Sequence, residues 1–288
     1  MRLRECHAGS GIYHIPSDHD SRSLLSCLHS LQPVGCAVPL AGTQRRILQG
    51  AGYWPDTVPN IEQNVEWYAG SALINARRLA DHSVPHTIDS YELEPKTQRV
   101  LGRVLKQMQL PTRITWTVLS DEDTAMKFDG EMHIEREIAR WGTRDLILLD
   151  PFAIWLSPAD QARRDRYGRI FDTLIQRGAK APSLILFWTW GRRHQREAID
   201  DLAGAARDGV ENGYHGLRAK LHDAGLAFVR VKWCWKQWFA MWVLVPGLPP
   251  VGLTELEREL QARCQLITAL WAQCGHARPE LEVKVEGY

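Results

Sequence analysis

The sequence predicts an α/β fold: a mostly parallel, seven-stranded sheet flanked by helices and ending in an antiparallel hairpin. Three observations predict it. Five short strand-like runs, at 1–6, 86–93, 112–119, 145–150 and 183–190, alternate with segments of helical period, the pattern of successive βαβ units. Two apolar and aromatic runs, "LAFVRVKWCW" and "WFAMWVLVPG", then follow with very few residues between them, which makes a hairpin. Finally, 288 residues with 44% apolar and 24% charged content suffice for one large α/β domain.

The elements follow in order. "MRLREC" is a short strand with Leu3 inward, and it runs into the glycine-rich "HAGSG". Residues 14–60 carry Pro16, Pro33, Pro39, Pro55 and Pro59 and read as an irregular insertion, much of it loop with room for a helix such as "SRSLLSCLHSL", in a single domain spanning 1–288. A helix starts near Gly70-Ser71 in "WYAGSALINARRL". "HTIDSYEL" alternates like a strand, and "EPKTQRVLGRVLKQM" opens a helix at Pro95 with Val100, Leu101, Val104, Leu105 and Met108 on one face. "TRITWTVL" is the next strand and "HIEREIARW" the next helix; "DLILLD" is a buried-type strand. "DQARRDRYGRIFDTLIQRG" is a helix that stops at Gly178, and "SLILFWTW" a strand. "REAIDDLAGAA" and "GYHGLRAKLHDAG" read as helices before the hairpin, and "TELERELQARCQLITALWAQCG" as a helix after it. The tail "LEVKVEGY" reads either as a short strand or as disorder.

The bulk numbers narrow the function classes. No apolar run approaches the roughly 20 residues of a membrane span. "MRLRECHAGSG" has no apolar stretch of signal-peptide length, so a cytoplasmic location without membrane contact is the expectation. The six cysteines are scattered without a Cys-x-x-Cys pair, which argues against a zinc ribbon and against a disulfide framework. His7, His14, His19 and His29, with Asp18 and Asp20, fit no tight zinc spacing, so no metal is expected. A net charge of +1 means that a polyanion would need a local patch.

Five stretches carry candidate chemistry. Gly9 and Gly11 follow the first strand, where glycine lets the backbone approach a ligand or simply turn. Glu92 ends the second strand, where a carboxylate accepts from ribose hydroxyls; Glu94 competes, and a helix-capping charge is the alternative for both. Asp121 and Asp123 follow the third strand and are candidates to accept from an adenine amine, or are solvated loop acids. Asp150 ends the fourth strand in "LILLDPFAIW"; it is either a turn residue or an acceptor for the amine of a target base, with an aromatic ring covering that base. Arg192, Arg193 and Arg196 lie beside Trp188 and Trp190, a mixture suited to phosphate contact and base stacking, and "RRDRYGR" at 163–169 is a candidate extension of the patch.

Taken together, "HAGSGIY", "WYAGSALINARRL", "YELEP", "TRDLILLDPF", "SLILFWTW" and "QWFAMWVLVPGLPP" resemble, in order, the motifs of a Rossmann-like class I S-adenosylmethionine (SAM)-dependent methyltransferase. The resemblance points to the bacterial large-subunit ribosomal RNA adenine-N6 methyltransferases and to the related partner proteins of the three-Cys-motif family. It implies that Glu5, His7, Gly9 and Gly11 form the glycine motif that holds SAM, and that Gly70 and Ser71 sit near the cofactor's carboxylate. It assigns the ribose to Glu92, the adenine side to Asp121 or Asp123, and the target amine to Asp150 and Pro151, with Phe152 as the nearby ring. The family's second Pro and its Tyr are Phe152 and Ala153 here, which is closer to the partner proteins. A family segment that precedes the glycine motif is expected to be missing.

The function so implied is SAM-dependent N6-adenine methyl transfer to a nucleic acid, RNA before DNA. The alternatives are a catalytically degenerate methyltransferase-like protein that binds a nucleotide or docks a protein partner, and a different α/β nucleotide enzyme.

Overall fold

The computed structural model describes residues 2–6, 11–14, 46–51, 67–81, 86–92, 95–108, 114–119, 130–142, 145–149, 161–178, 183–190, 215–235, 238–273, 275 and 278–287. They form a mixed α/β protein whose contacts group into two compact units, residues 1–128 with 266–278, and 129–265 with 279–288.

The first unit is built on three parallel strands. β1 (Arg2–Cys6) pairs with β4 (His86–Tyr91), and β4 pairs with β5 (Ile114–Leu119). A separate antiparallel ribbon joins β2 (Ile12–His14) to β3 (Trp67–Ala69). Two helices carry the apolar faces that complete the unit, α1 (Ser71–Ala80) and α2 (Pro95–Gln107). Leu73, Ala72, Leu101, Val104 and Met108 pack with Ile12 and Ala69 in one buried cluster. The helix start at Gly70-Ser71 and the inward Leu3 match the sequence expectation. The ribbon does not: three-residue strands are too short to show a period.

Part of the expected irregular insertion is ordered into this core. Residues 46–50 are helical, and Ile47, Leu48 and Ala51 are buried in the same cluster. Their i, i+1, i+4 spacing is that of a helix face, obscured in the sequence by the prolines and glycines around it. The rest of 15–66, including the helix read at "SRSLLSCLHSL", lies outside the described residues, as does "REAIDDLAGAA".

The second unit holds β6 (Asp145–Leu149), β7 (Ser183–Trp190), β8 (Phe228–Trp235), β9 (Trp238–Pro246) and β10 (Glu280–Glu286). β6 and β7 are parallel; β7–β9, β9–β8 and β8–β10 are antiparallel. The hairpin is therefore not the edge, and this sheet is more antiparallel than the sequence suggested. The tail that read as strand or disorder is a strand that adds a further antiparallel pair.

Its helices are α3 (Gly130–Glu137), extended by a 3₁₀ turn at Ile138–Arg140, α4 (Gln161–Gly178), α5 (residues 215–223) and the part up to Gln265 of α6 (Pro250–Gln273), whose remaining residues group with the first unit. Ile134 and Ile138 bury beside the apolar stripe Tyr167, Ile170, Phe171 and Leu174 of α4. Arg177 of α4 donates to the carbonyls of Ile138 and Trp141, which satisfies the end of the 3₁₀ turn. α5 ends in a Schellman motif: Leu226 N–H donates to the Leu221 carbonyl and Gly225 N–H to the His222 carbonyl, both at 2.9 Å, with Gly225 at φ +65°.

Charge pairing anchors β10. Glu286 is buried and meets Arg218 at 2.6 Å and Arg230 at 3.1 Å; Arg230 also meets Glu282 at 2.6 Å. Glu257 of α6 accepts from Val285 N–H at 3.0 Å, so a side chain occupies a backbone donor of this edge strand. Gly287 follows at φ +101°, and a Cβ there would lie 2.6 Å from the Leu226 carbonyl oxygen and 2.9 Å from Ala227 Cα. Both obstacles are backbone and cannot swing away. Gly287→Ala should cost roughly 1–3 kcal/mol, read as a lower midpoint in urea unfolding. An unchanged midpoint would mean that β10 does not hold the second unit together.

Candidate functional site

In parallel sheets, ligands bind beyond the carboxyl ends of the strands, because there the chain leaves the sheet and its side chains and amides converge. In the first unit those ends are Glu5-Cys6 of β1 and Tyr91 of β4 with Glu92 after it, brought side by side by a register that pairs Glu5 with Ser90 and Cys6 with Tyr91.

Strand alternation sorts these residues onto two faces. Leu3, Glu5, Ile88 and Ser90 share one face; Arg4, Cys6, Asp89 and Tyr91 share the other. On the first, Glu5 is 1% exposed, and Asn75 of α1 donates to its Oε1 at 3.4 Å. The Ser90 hydroxyl beside it is fully buried and has no hydrogen-bond partner among the described residues. On the second face, Arg4 donates to Asp89 at 2.5 Å and to the Tyr91 hydroxyl at 3.0 Å, and Arg2 lies 3.7 Å from Asp89.

These surroundings set the protonation states. Burial, and after it the Glu5 charge, push the Cys6 thiol far above its ordinary value. Cys6 is thus a neutral core thiol and no nucleophile. Burial also pushes the Tyr91 phenol up, to about 12, against the opposing pull of Arg4.

The turn after β1 meets the start of α1. Gly11 has φ +79°, and its carbonyl accepts from Gly70 N–H at 2.7 Å. Gly70 is the N-cap of α1 and contributes no capping side chain. A side chain at either position would force its neighbours to shift. A Cβ on Gly11 would lie 2.8 Å from Leu101 Cδ1 and 3.0 Å from Leu73 Cγ; one on Gly70 would lie 2.5 Å from Tyr13 Cε2. Both residues were singled out as cofactor glycines, and the structure gives each a packing reason as well. The Tyr13 ring that covers Gly70 stacks on Tyr68 across the ribbon, centroids 5.0 Å apart, and His14 meets the Trp67 ring edge-on at 5.0 Å.

Of the sequence-selected residues, Glu5, Gly11, Gly70 and Ser71 are therefore gathered around β1 and the start of α1. Glu92 follows β4, and its carbonyl accepts from the Gln98 side chain, which ties the strand end to α2. His7, Gly9, Asp121, Asp123, Asp150, Pro151, Phe152, Arg192, Arg193 and Arg196 lie outside the described residues. Trp190 is the last residue of β7, paired with Phe239. Within the candidate extension of the basic patch, Arg169 pairs with Glu135 at 2.5 Å, Arg166 with the same carboxylate at 3.6 Å, and Arg164 donates to Gln161 at 2.7 Å. Those arginines tie α4 to α3 and to its own first turn. Asn75, Ser90, Tyr13 and Tyr68 were not read as site residues; nothing in a helix interior, a strand or a three-residue ribbon distinguishes them before the partners are known.

Among the described residues no three His, Cys, Asp or Glu side chains come together to hold a metal ion, and no helix is long and apolar enough to cross a membrane. No protein-family model matches the chain, and no curated protein sequence matches it.

Two outcomes follow from this geometry. Gly11→Ala should destabilise by roughly 1–3 kcal/mol, seen in chemical denaturation, because the core side chains Leu73 and Leu101 already fill the space. The raised Tyr91 value means that the unfolded chain loses its phenol proton near pH 10 while the folded one keeps it to about 12. Stability tied to Tyr91 is therefore intact below pH 10.0 and falls as pH rises through about 12. Denaturation midpoints of wild type and Tyr91→Phe should diverge over that window, with wild type losing more; parallel curves would reject the assignment.

Proposed function

We propose that this protein is a SAM-dependent methyltransferase of the Rossmann-like class, acting on adenine N6 in a nucleic acid. The observation that carries the reading is the convergence of buried Glu5, the Gly11 turn and the Gly70-Ser71 helix start at the carboxyl end of a strand in a parallel sheet, with Glu92 after the neighbouring strand. The donor chemistry fits an adenine nucleoside: Glu92 suits ribose hydroxyls, and the first amides of α1 at Ser71 suit a carboxylate. Asn75 holds the Glu5 carboxylate in a fixed orientation from the helix that starts at Ser71.

SAM, when bound, supplies an electrophilic methyl group on its sulfonium. The chain's own residues have the task of alignment. Asp150 and the Pro151 carbonyl would accept from the adenine amine and leave its nitrogen lone pair directed at the methyl, and Phe152 would cover the base. Alignment in a pocket closed to water is where most of the rate gain would arise.

A second reading has an observation of its own. The open side of Gly11 is filled by Leu73 and Leu101, which supports a methyltransferase-like scaffold that binds a nucleotide or a protein partner without transfer.

Calorimetry with SAM and with its demethylated product separates the two. The enzyme reading expects binding of both, weakened in Glu92→Gln, and transfer of radiolabelled methyl to total RNA that falls about 10²-fold or more in Asp150→Ala. Binding without transfer selects the scaffold. Heat with another adenine nucleotide and none with SAM would reject the enzyme reading, and turnover of that nucleotide would reject the scaffold as well, in favour of a different nucleotide enzyme.

A further inference from the structure

The outer face of α2 carries Lys96, Arg99, Arg103 and Lys106, all exposed. Their i, i+3, i+7, i+10 spacing is a single helical stripe. At about 100° per residue, all four lie within roughly 40° of the line opposite Leu101, the side chain that packs against Gly11. The helix thus presents its apolar side to the core and a purely cationic side to solvent.

A solvated helix face ordinarily mixes signs. α6 does so, with Arg263 held by Glu259 at 2.7 Å, and on α4 Arg166 and Arg169 are paired with Glu135. α2 contains no acidic residue between Pro95 and Gln107. None of its four cations has a carboxylate partner among the described residues. This in a chain whose 35 Lys and Arg are balanced by 34 Asp and Glu. Four like charges in one row repel one another, so the row is a local positive potential that an anionic partner relieves.

We propose that this stripe is a docking surface for the phosphate backbone of a nucleic acid. Lys96 to Lys106 spans about 15 Å of helix, a length that runs past roughly four phosphates at the spacing of one strand. Such contacts position the polymer and carry no sequence preference. The proposal takes its partner class from the nucleic-acid reading above, but it does not depend on SAM.

The test is fluorescence anisotropy of a labelled single-stranded RNA with the full chain, without SAM, between about 50 and 200 mM NaCl. Wild type should bind with a log–log salt slope of roughly −3 if four phosphates are engaged. The variant Lys96→Gln, Arg99→Gln, Arg103→Gln, Lys106→Gln should bind about tenfold or more weakly with a slope near zero. Arg258→Gln with Arg278→Gln, which removes exposed charge elsewhere, should match wild type. Circular dichroism should be unchanged in both variants, since every substituted residue is exposed. The proposal is overturned if the stripe variant keeps the wild-type affinity and slope, if wild type binds no oligonucleotide, or if it prefers phosphatidylserine vesicles to RNA. Failure of SAM binding in calorimetry leaves this measurement untouched, so the two readings fail separately.

Discussion

The first unit depends on one close approach. The carbonyl of Gly11 and the amide of Gly70 meet at 2.7 Å, and a side chain on either residue would force its neighbours to shift. Leu73 and Leu101 occupy the space on one side, and the Tyr13 ring occupies it on the other. From that junction α1 is aimed back along the sheet, so that Asn75, one turn in, reaches the buried Glu5. The same contact brings the turn after β1, the ribbon and two helices into one apolar cluster. The glycine pair removes bulk at the point where a strand end and a helix start come together.

In each unit a buried carboxylate is paired with arginine. Arg4 and Asp89 sit opposite each other in the register of β1 and β4, and Tyr91 is drawn into the same network. Glu286 is held by Arg218 and Arg230. A buried charge without a partner would be costly, so these pairs constrain register as well as contributing energy. The stripe on α2 is organised in the opposite way, all one sign and all exposed. The difference separates charges that a fold consumes internally from charges it leaves available to a partner.

Much of the fold was legible because period and punctuation are local. The alternation in "HTIDSY", the apolar stripe of "PKTQRVLGRVLKQ" and the terminal glycine of "LHDAG" each specify an element without reference to the rest of the chain. The helical residues 46–50 and the ribbon escaped because five- and three-residue elements show no full period. The partners of the arginines in "RRDRYGR" were hidden for a related reason: composition shows that charges are present, and only packing shows that Glu135 takes two of them.

The sequence by itself determined the α/β class, most of the strands and helices, and the residue types gathered at Glu5, Gly11, Gly70 and Glu92. Those follow from side-chain chemistry and backbone freedom, which act over a few residues. Tertiary structure decided that the tail pairs with β8 as a strand, that Gly11 and Gly70 touch, and that Asn75 rather than a nearer residue reaches Glu5. Each of these joins positions far apart in the chain, and no local preference encodes which distant group will fill a given space.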